Sequence, residues 1–327
     1  MSKQAPGRAP AEVVRVICAS ISLVQGSVMD ELFQMRNHVG GHGTNPVVKC
    51  ALLYTSGCFA FWFEGPGPAV QKLLKRAATD PRHERFVTIH RSKGAPTLTE
   101  ALSVVATQGG GGPGSFGRRV RQFREEMDRS DTVEPALVWQ SLMAPCAVAT
   151  DRGHALRIDR HVALVSAEDN GPIDLLRRVG ELHCSPVVYQ RFAGSRIHST
   201  DVGLAYVDVR VQQHVTRIHL LSRRALPHRM VRLSLDGLDE LVMIMGSRPA
   251  AAIELASGVA DCVNAMARPP AICQVTDREE VAATVGRLLH RSSTWGCAMR
   301  VAQLVEAQLE HYLLGRARPL VAGLQAA

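Results

Sequence analysis

Gly109-Gly110-Gly111-Gly112-Pro113-Gly114 divides this chain. Such a run cannot form a helix or strand interior, because glycine loses the most backbone entropy on ordering and proline lacks a donor. A glycine-rich loop cradles phosphate only where a strand ends directly on a helix N-terminus. That context is missing here, so the run reads as a flexible connector. With 327 residues in all, there is room for two domains with separate cores. Apolar residues make up 46% and charged residues 21%, a globular balance. No apolar stretch nears the ~20 residues of a bilayer span, so no membrane partner is expected. Residues 1–11 are polar and Pro-rich, lack a signal-peptide core, and are expected to be a disordered arm.

The net charge of +8 raises the question of nucleic acid. Lysine stops at Lys93, and the remaining positive charge is arginine, scattered in pairs such as Arg118–Arg119 and Arg177–Arg178 among acidic residues. With no helix-turn-helix and no basic run interleaved with aromatics, no nucleic-acid partner is expected. The eight cysteines include no CxxC pair, and several sit in apolar stretches, as Cys18, Cys50, Cys58 and Cys273 do. They read as reduced, core-packed thiols of a cytoplasmic protein, with neither a zinc site nor a disulfide framework.

Between residues 12 and 108 the periodicity predicts strands at Val13–Ala19, Val47–Tyr54, Cys58–Phe63, Phe86–His90 and Ala101–Thr107. Helices are predicted at Val28–Val39 and Pro68–Ala78, and Thr55-Ser56-Gly57 reads as a hairpin turn. The order βαββαβ(β) implies an α+β, ferredoxin-like sheet with two helices on one face. The connecting segment 109–150 holds helices at Phe116–Met127 and Pro135–Leu142. From 151 to 292, strands at Val162–Val165, Gly203–Val209, Val215–Leu221, Leu238–Met245 and Ala271–Val275 alternate with helices at Ile173–Leu182, Ala250–Met266 and Glu279–His290. That rhythm implies a doubly wound α/β sheet with one hairpin. Met299, Ala302, Val305, Leu309 and Tyr312 predict a C-terminal helix over Trp295–Leu314, within a helix and tail at 293–327.

The run Val14-Arg15-Val16-Ile17-Cys18-Ala19-Ser20, with Leu52-Leu53-Tyr54, Phe59, Glu64-Gly65-Pro66 and Asp80-Pro81-Arg82-His83, resembles the BLUF domains, the flavin-binding sensors of blue light. The resemblance covers about Val13 to Gln108. It implies FAD between the two helices, with a Tyr, a Gln and an Asn whose hydrogen bonds to the flavin rearrange in light. Position by position, the Tyr falls on Cys18, the Gln on Phe61, and the Asn near Gly43, beside His42 and Asn45. A thiol is a weak donor and a phenyl ring offers no donor or acceptor, so the light switch is lost. Arg82 and His83 survive, either to hold phosphate or ribityl oxygens or as structural groups pairing a nearby acid. No cofactor is expected, and FAD if any.

The segment from Arg160 through Val165 into a helix is similar to the bacterial Ras-like small GTPases that work with roadblock-type partners. The resemblance implies a P-loop with Lys and Ser/Thr after the first strand. Here the loop reads Ser166-Ala167-Glu168-Asp169-Asn170-Gly171-Pro172-Ile173, keeping only Gly171. Pro172 donates no N–H, Ile173 cannot ligate Mg²⁺, and Glu168 and Asp169 repel phosphate. Thr200 stands at the switch threonine, Ser222 to Leu226 lacks Asp and Gly, and of the base-reading motif only Asp277 remains.

A Gly-x-Ser-x-Gly elbow and a His-Glu-x-x-His pair are absent, and no residue is assigned a catalytic role. Both halves thus match folds whose chemistry has been removed, and the chain reads as a non-enzymatic signalling or scaffold protein acting through protein contacts. Arg223, Arg224, His228 and Arg229, beside the strand at Gly203–Val209, are the expected partner-binding residues. The alternatives are an FAD-binding photoreceptor with altered chemistry and an unrecognised α/β enzyme with a pocket at its strand ends.

Overall fold

The computed structural model describes residues 12–40, 47–108, 113–127, 133–143, 158–168, 172–193, 202–211, 214–235, 237–266, 268–292, 294, 301–304, 308–313 and 320–321. They fall into two units, one built on Met1–Thr107 with Gly111–Cys146, the other on Ala147–Phe192 with Thr200–Ala327.

The first unit's sheet has the order β5-β2-β3-β1-β4, from β1 (Val13–Ser22), β2 (Lys49–Thr55), β3 (Cys58–Gly65), β4 (His83–Gly94) and β5 (Leu102–Gln108). β1 runs antiparallel to both β3 and β4, and β2 pairs antiparallel with β3 and parallel with β5. Central β1 is covered on both faces, which explains its almost uninterrupted apolar sequence from Val16 to Ala19. The β2–β3 hairpin closes with Ser56 at φ 51° and Gly57 at φ 76°, the two left-handed positions of a type I′ turn, and Thr55 faces Cys58. The β1–β4 ladder slips between Ile17 and Cys18 and again between Ala19 and Ile21, and Arg85 adopts φ 55°.

Two helices, α1 (Val28–Gly40) and α2 (Gly67–Ala78), pack on one face. The Ser27 hydroxyl caps α1 by accepting from the Asp30 N–H at 3.3 Å, and Asp30 and Glu31 suit its positive end. Proline enters α2 at its first turn, where the missing N–H is harmless. This is the ferredoxin-like arrangement expected from the strand order.

The described part of the segment between the halves groups with the first unit. It forms α3 (Pro113–Met127) and α4 (Pro135–Met143). Trp139 of α4 is fully buried against Trp62, ring centroids 5.8 Å apart, on the sheet face opposite Phe61. Arg15, on that same face, donates to Glu134 at 3.0 Å and to the Ser92 hydroxyl at 3.1 Å. Burial of this indole pair and the Arg15 bonds explains why the segment docks and does not serve as a spacer.

The second unit's sheet has the order β7-β8-β9-β6-β10-β11-β12-β13. Its strands are β6 (Arg160–Ser166), β7 (Val188–Ala193), β8 (Val202–Val211), β9 (His214–Leu221), β10 (Glu240–Ile244), β11 (Ala271–Val275), β12 (Val301–Leu304) and β13 (Leu320–Val321). The inner strands β9, β6, β10, β11 and β12 are parallel, while β7–β8, β8–β9 and β12–β13 are antiparallel, so the sheet is mixed. The helices are α5 (Ile173–Leu182), α6 (Arg229–Ser234), α7 (Pro249–Asn264), α8 (Glu279–Ser292) and α9 (Leu309–Leu313). Leu175, Leu176 and Val179 of α5 join Leu309, Tyr312 and Leu313 of α9 over one face.

The continuous helix expected over Trp295–Leu314 is not what forms. Among the described residues of that span, Val301–Leu304 is strand β12 and Leu309–Leu313 is helix α9. The open edge of β11 offers backbone partners that a helix would forgo, and the Thr276 N–H donates to Leu304 O at 3.0 Å. Of the apolar positions that predicted one helix, Ala302 lies in β12 and Leu309 and Tyr312 on the buried face of α9, while Met299 and Val305 lie outside the described residues.

Candidate functional site

Cys18 and Phe61 are direct partners across β1 and β3, both on the face that α1 and α2 cover. Cys18 is fully buried, and its thiol lies 3.7 Å from the Thr88 hydroxyl. Burial pushes that thiol up to about 11 and the neighbouring Cys50 up to about 12, so both stay protonated at neutral pH. Phe61 is half-buried at the centre of an aromatic set. It stacks on Phe63 at 5.9 Å with an interplanar angle of 7°, and meets Phe59 at 6.0 Å, Phe86 at 6.0 Å and His83 at 5.3 Å.

Arg82 is already engaged. Its guanidinium donates to both oxygens of Asp80, at 2.9 and 2.5 Å, and to Glu31 of α1 at 2.6 Å. The Arg82 bonds hold the Asp80 carboxyl down at about 2. The structural reading of Arg82 is therefore the one the geometry favours: it ties the start of β4 to α1. His83 is buried, its Nδ1 lacks a partner among the described residues, and burial lowers its pKa. His42, Gly43 and Asn45 lie outside the described residues.

Among the described residues, Cys18, Phe61 and Arg82 do not supply the hydrogen bonds that a flavin ring system needs. An isoalloxazine presents several ring nitrogens and carbonyl oxygens that need hydrogen bonds once desolvated. Against them stand a phenyl ring, a thiol turned to Thr88, and an arginine closed onto two carboxylates. Among the described residues of this face, His83 Nδ1 and Ser20 Oγ, opposite Phe59, are buried polar atoms without a partner.

In the second unit the loop after β6 is tied to the loop after β10. Glu168 Oε1 accepts from the Ser247 N–H at 3.2 Å and its hydroxyl at 3.3 Å. Gly246 adopts φ +64°, and a Cβ there would come within 2.7 Å of that same oxygen. Ser166 accepts from the Glu168 N–H at 3.1 Å. Pro172 occupies the N-cap of α5 without a side-chain cap, and Ile173 packs into the core. Asp277 is exposed beyond β11. Gly171 and Thr200 lie outside the described residues.

The expected partner residues do not form one exposed cluster. Arg223 is ion-paired to Glu254 of α7, Arg224 is exposed, the His228 ring lies 5.9 Å from Phe192, and Arg229 is half-buried in the first turn of α6. A different group went unnoticed in the sequence. His161 on β6 and His219 on β9 approach at 2.6 Å between their Nε2 atoms, beside Tyr206 and the Arg217–Asp208 ion pair. Nothing in the local sequence marks them, since they converge only when β6 and β9 pair.

Residues 14–97 match the BLUF family, described as sensors of blue light using FAD, and this span runs from β1 to β4 of the first unit. Among solved structures, the BLUF protein BlrB in its dark state is 18% identical, covering 39% of this chain and 90% of its own, with a TM-score of 0.26. The photo-activated state of BlsA is 13% identical, covering 40% and 96%, with a TM-score of 0.27. A bacterial light-regulated adenylyl cyclase is 16% identical, covering 40% of each chain, with a TM-score of 0.28. No curated protein matches the chain in sequence.

Proposed function

We propose that this chain is a signalling or scaffold protein built on a BLUF-type sensor unit that no longer reads blue light, acting through protein–protein contacts. The carrying observation is the Cys18–Phe61 pair, which puts a buried thiol and a phenyl ring where the resemblance implies a phenol and an amide. A phenyl ring cannot exchange donor for acceptor, so no hydrogen-bond switch can run through Phe61. The test is the visible absorbance of the purified chain before and during blue light. Colourless protein supports the reading, whereas bound flavin whose spectrum shifts under illumination sinks it.

The second unit is read as a doubly wound, Ras-like fold without nucleotide chemistry. The strand order β8-β9-β6-β10-β11-β12, with β8 alone antiparallel among them, supports this. So does the division of helices, with α5 and α9 on one face and α8 against Gln274 on the other. The Glu168–Ser247 closure sets a carboxylate in the loop where the resemblance implies phosphate, which disfavours GTP and enzymatic hydrolysis alike. Roadblock-type proteins are the partner class this reading favours.

A further inference from the structure

We propose that Arg15 is a two-position latch on α4: it grips Glu134 while α4 is seated on the sheet and turns to Glu64 when α4 lifts. The latch is independent of whether the first unit holds a flavin, because it lies on the sheet face opposite Cys18 and Phe61.

Arg15 and Glu64 are direct partners across β1 and β3, on the face that carries Trp62. Side chains so placed have Cβ atoms about 4.5–5.5 Å apart, within reach of each other's ends. Lys49 faces Glu64 from β2 as well, yet neither cation donates to it. Arg15 Nε donates to the Ser92 hydroxyl at 3.1 Å, one terminal nitrogen to Glu134 at 3.0 Å and the other to the Lys93 carbonyl at 3.3 Å. Glu64 is 2% exposed. Its Oε2 accepts from the Thr97 and Leu98 N–H groups at 2.6 and 2.7 Å, whereas its Oε1 has no partner among the described residues.

The two carboxylates differ in what a cation gains from them. Glu134 is 63% exposed, so water screens its pair with Arg15. Glu64 is buried with one oxygen bare, which costs free energy until a donor arrives. The guanidinium thus has a second acceptor one side-chain rotation away, and the bonds to Ser92 and Lys93 with the burial of α4 hold it in the seated position. Glu134 also caps α4, its carbonyl accepting from the Leu137 and Val138 N–H groups at 3.0 and 3.4 Å, so letting it go frees the first turn. The seat is imperfect: Trp62 Nε1, Trp139 Nε1 and His90 Nδ1 are further buried atoms without partners among the described residues. Release bares buried Val138, Trp139, Leu142 and Met143, an apolar stripe that the latch conceals.

Amide hydrogen exchange of the full chain tests the latch, read over α4 and over the Thr97–Leu98 turn. Glu64→Gln removes the alternative charge, while its amide oxygen still accepts from Thr97 and Leu98. It is expected to slow exchange in α4 several-fold, because the released state loses its partner. A Glu64 that serves only to hold the turn gives no such slowing, so α4 exchange that is unchanged or faster overturns the proposal. Gly94→Ala acts on the seated position alone, since a Cβ there would lie 2.8 Å from the Arg15 guanidinium. It decides the matter if Glu64→Gln fails to fold, as judged by circular dichroism. Exchange in α4 is then expected to quicken several-fold while Thr97 and Leu98 keep or gain protection. Loss of protection at both places, or no quickening in α4, overturns the proposal.

Discussion

The backbones of Cys18 and Phe61 face each other across the β1–β3 ladder, yet their side chains share no polar contact: the thiol turns to Thr88 on β4 and the ring to Phe63 and His83. The thiol is thereby sealed as well as protonated. Native protein treated with iodoacetamide at neutral pH is expected to be alkylated at exposed Cys184 well before fully buried Cys18. Peptide mass spectrometry over a time course reads the order. Labelling of Cys18 at the faster rate would mean that the α1–α2 face opens readily.

Trp139 is fully buried against Trp62, so its replacement by alanine removes the main apolar contact of α4. Trp139→Ala is expected to cost about 3–5 kcal/mol of first-unit stability. Denaturant unfolding followed by circular dichroism measures it. A loss below about 1 kcal/mol would show that α4 is only loosely seated.

His161 and His219 predict an acid limb. Burial, then the Arg217 charge, lowers His161 to about 4; burial, then His161 and Arg217, holds His219 well below its ordinary value. Asp239 and Asp208 act on His161 in the opposite sense. Both rings fold neutral, whereas the unfolded chain protonates near pH 6.5. Their contribution is therefore complete above about pH 6.5 and is lost as pH falls from there through 4, because the unfolded state binds more protons in that window. Each ring contributes a slope of no more than about 1.4 kcal/mol per pH unit. Melting temperatures from about pH 7.5 down to about pH 4 read the limb in the wild type, and His219→Phe should flatten it.

Neither GTP nor ATP with Mg²⁺ is expected to raise the melting temperature of the full chain. A ligand present at about 100 times its Kd would add about 2.7 kcal/mol, a shift readily seen. A magnesium-dependent rise would overturn the reading of the β6–α5 loop, where Glu168 is held by Ser247.

Arg223 and Glu254 form a surface ion pair, so charge reversal at one end should be rescued by reversal at the other. Arg223→Glu is expected to lose about 0.2–1 kcal/mol, and Arg223→Glu with Glu254→Arg to regain most of it. Additive losses in this double-mutant cycle would show the pair to be energetically idle. Exposed Arg224, varied alone, is the cleaner probe of partner binding, because its replacement leaves this pair intact.

The residues of the first unit announce their fold because its signals are local. Ser56-Gly57 fixes the hairpin, Ser27 caps α1, and alternation along β3 sends Phe61 to one face and Trp62 to the other. Cys18 and Phe61 were singled out by the family resemblance, and their pairing across β1 and β3 is shown by the structure. What stayed hidden depends on distant pairing. Arg82 meets Glu31 across 51 positions, Glu168 meets Ser247 across 79, and Trp139 finds Trp62 only after the connecting segment folds back. The C-terminal apolar spacing was misleading because β12 needs the edge of β11, which no window of local sequence contains.

β4 ends the strand order of the first unit, with exposed Glu84, Arg85, Arg91 and Lys93 along it. Its two register slips and the left-handed Arg85 break what would otherwise be an even row of outward donors and acceptors. Bulges and charges of this kind spoil the template that a foreign strand needs. Irregularity in this one strand acts as insulation: the sheet stops where it does because its last rung is bent and charged, and concentrated solutions gain resistance to edge-to-edge polymerisation.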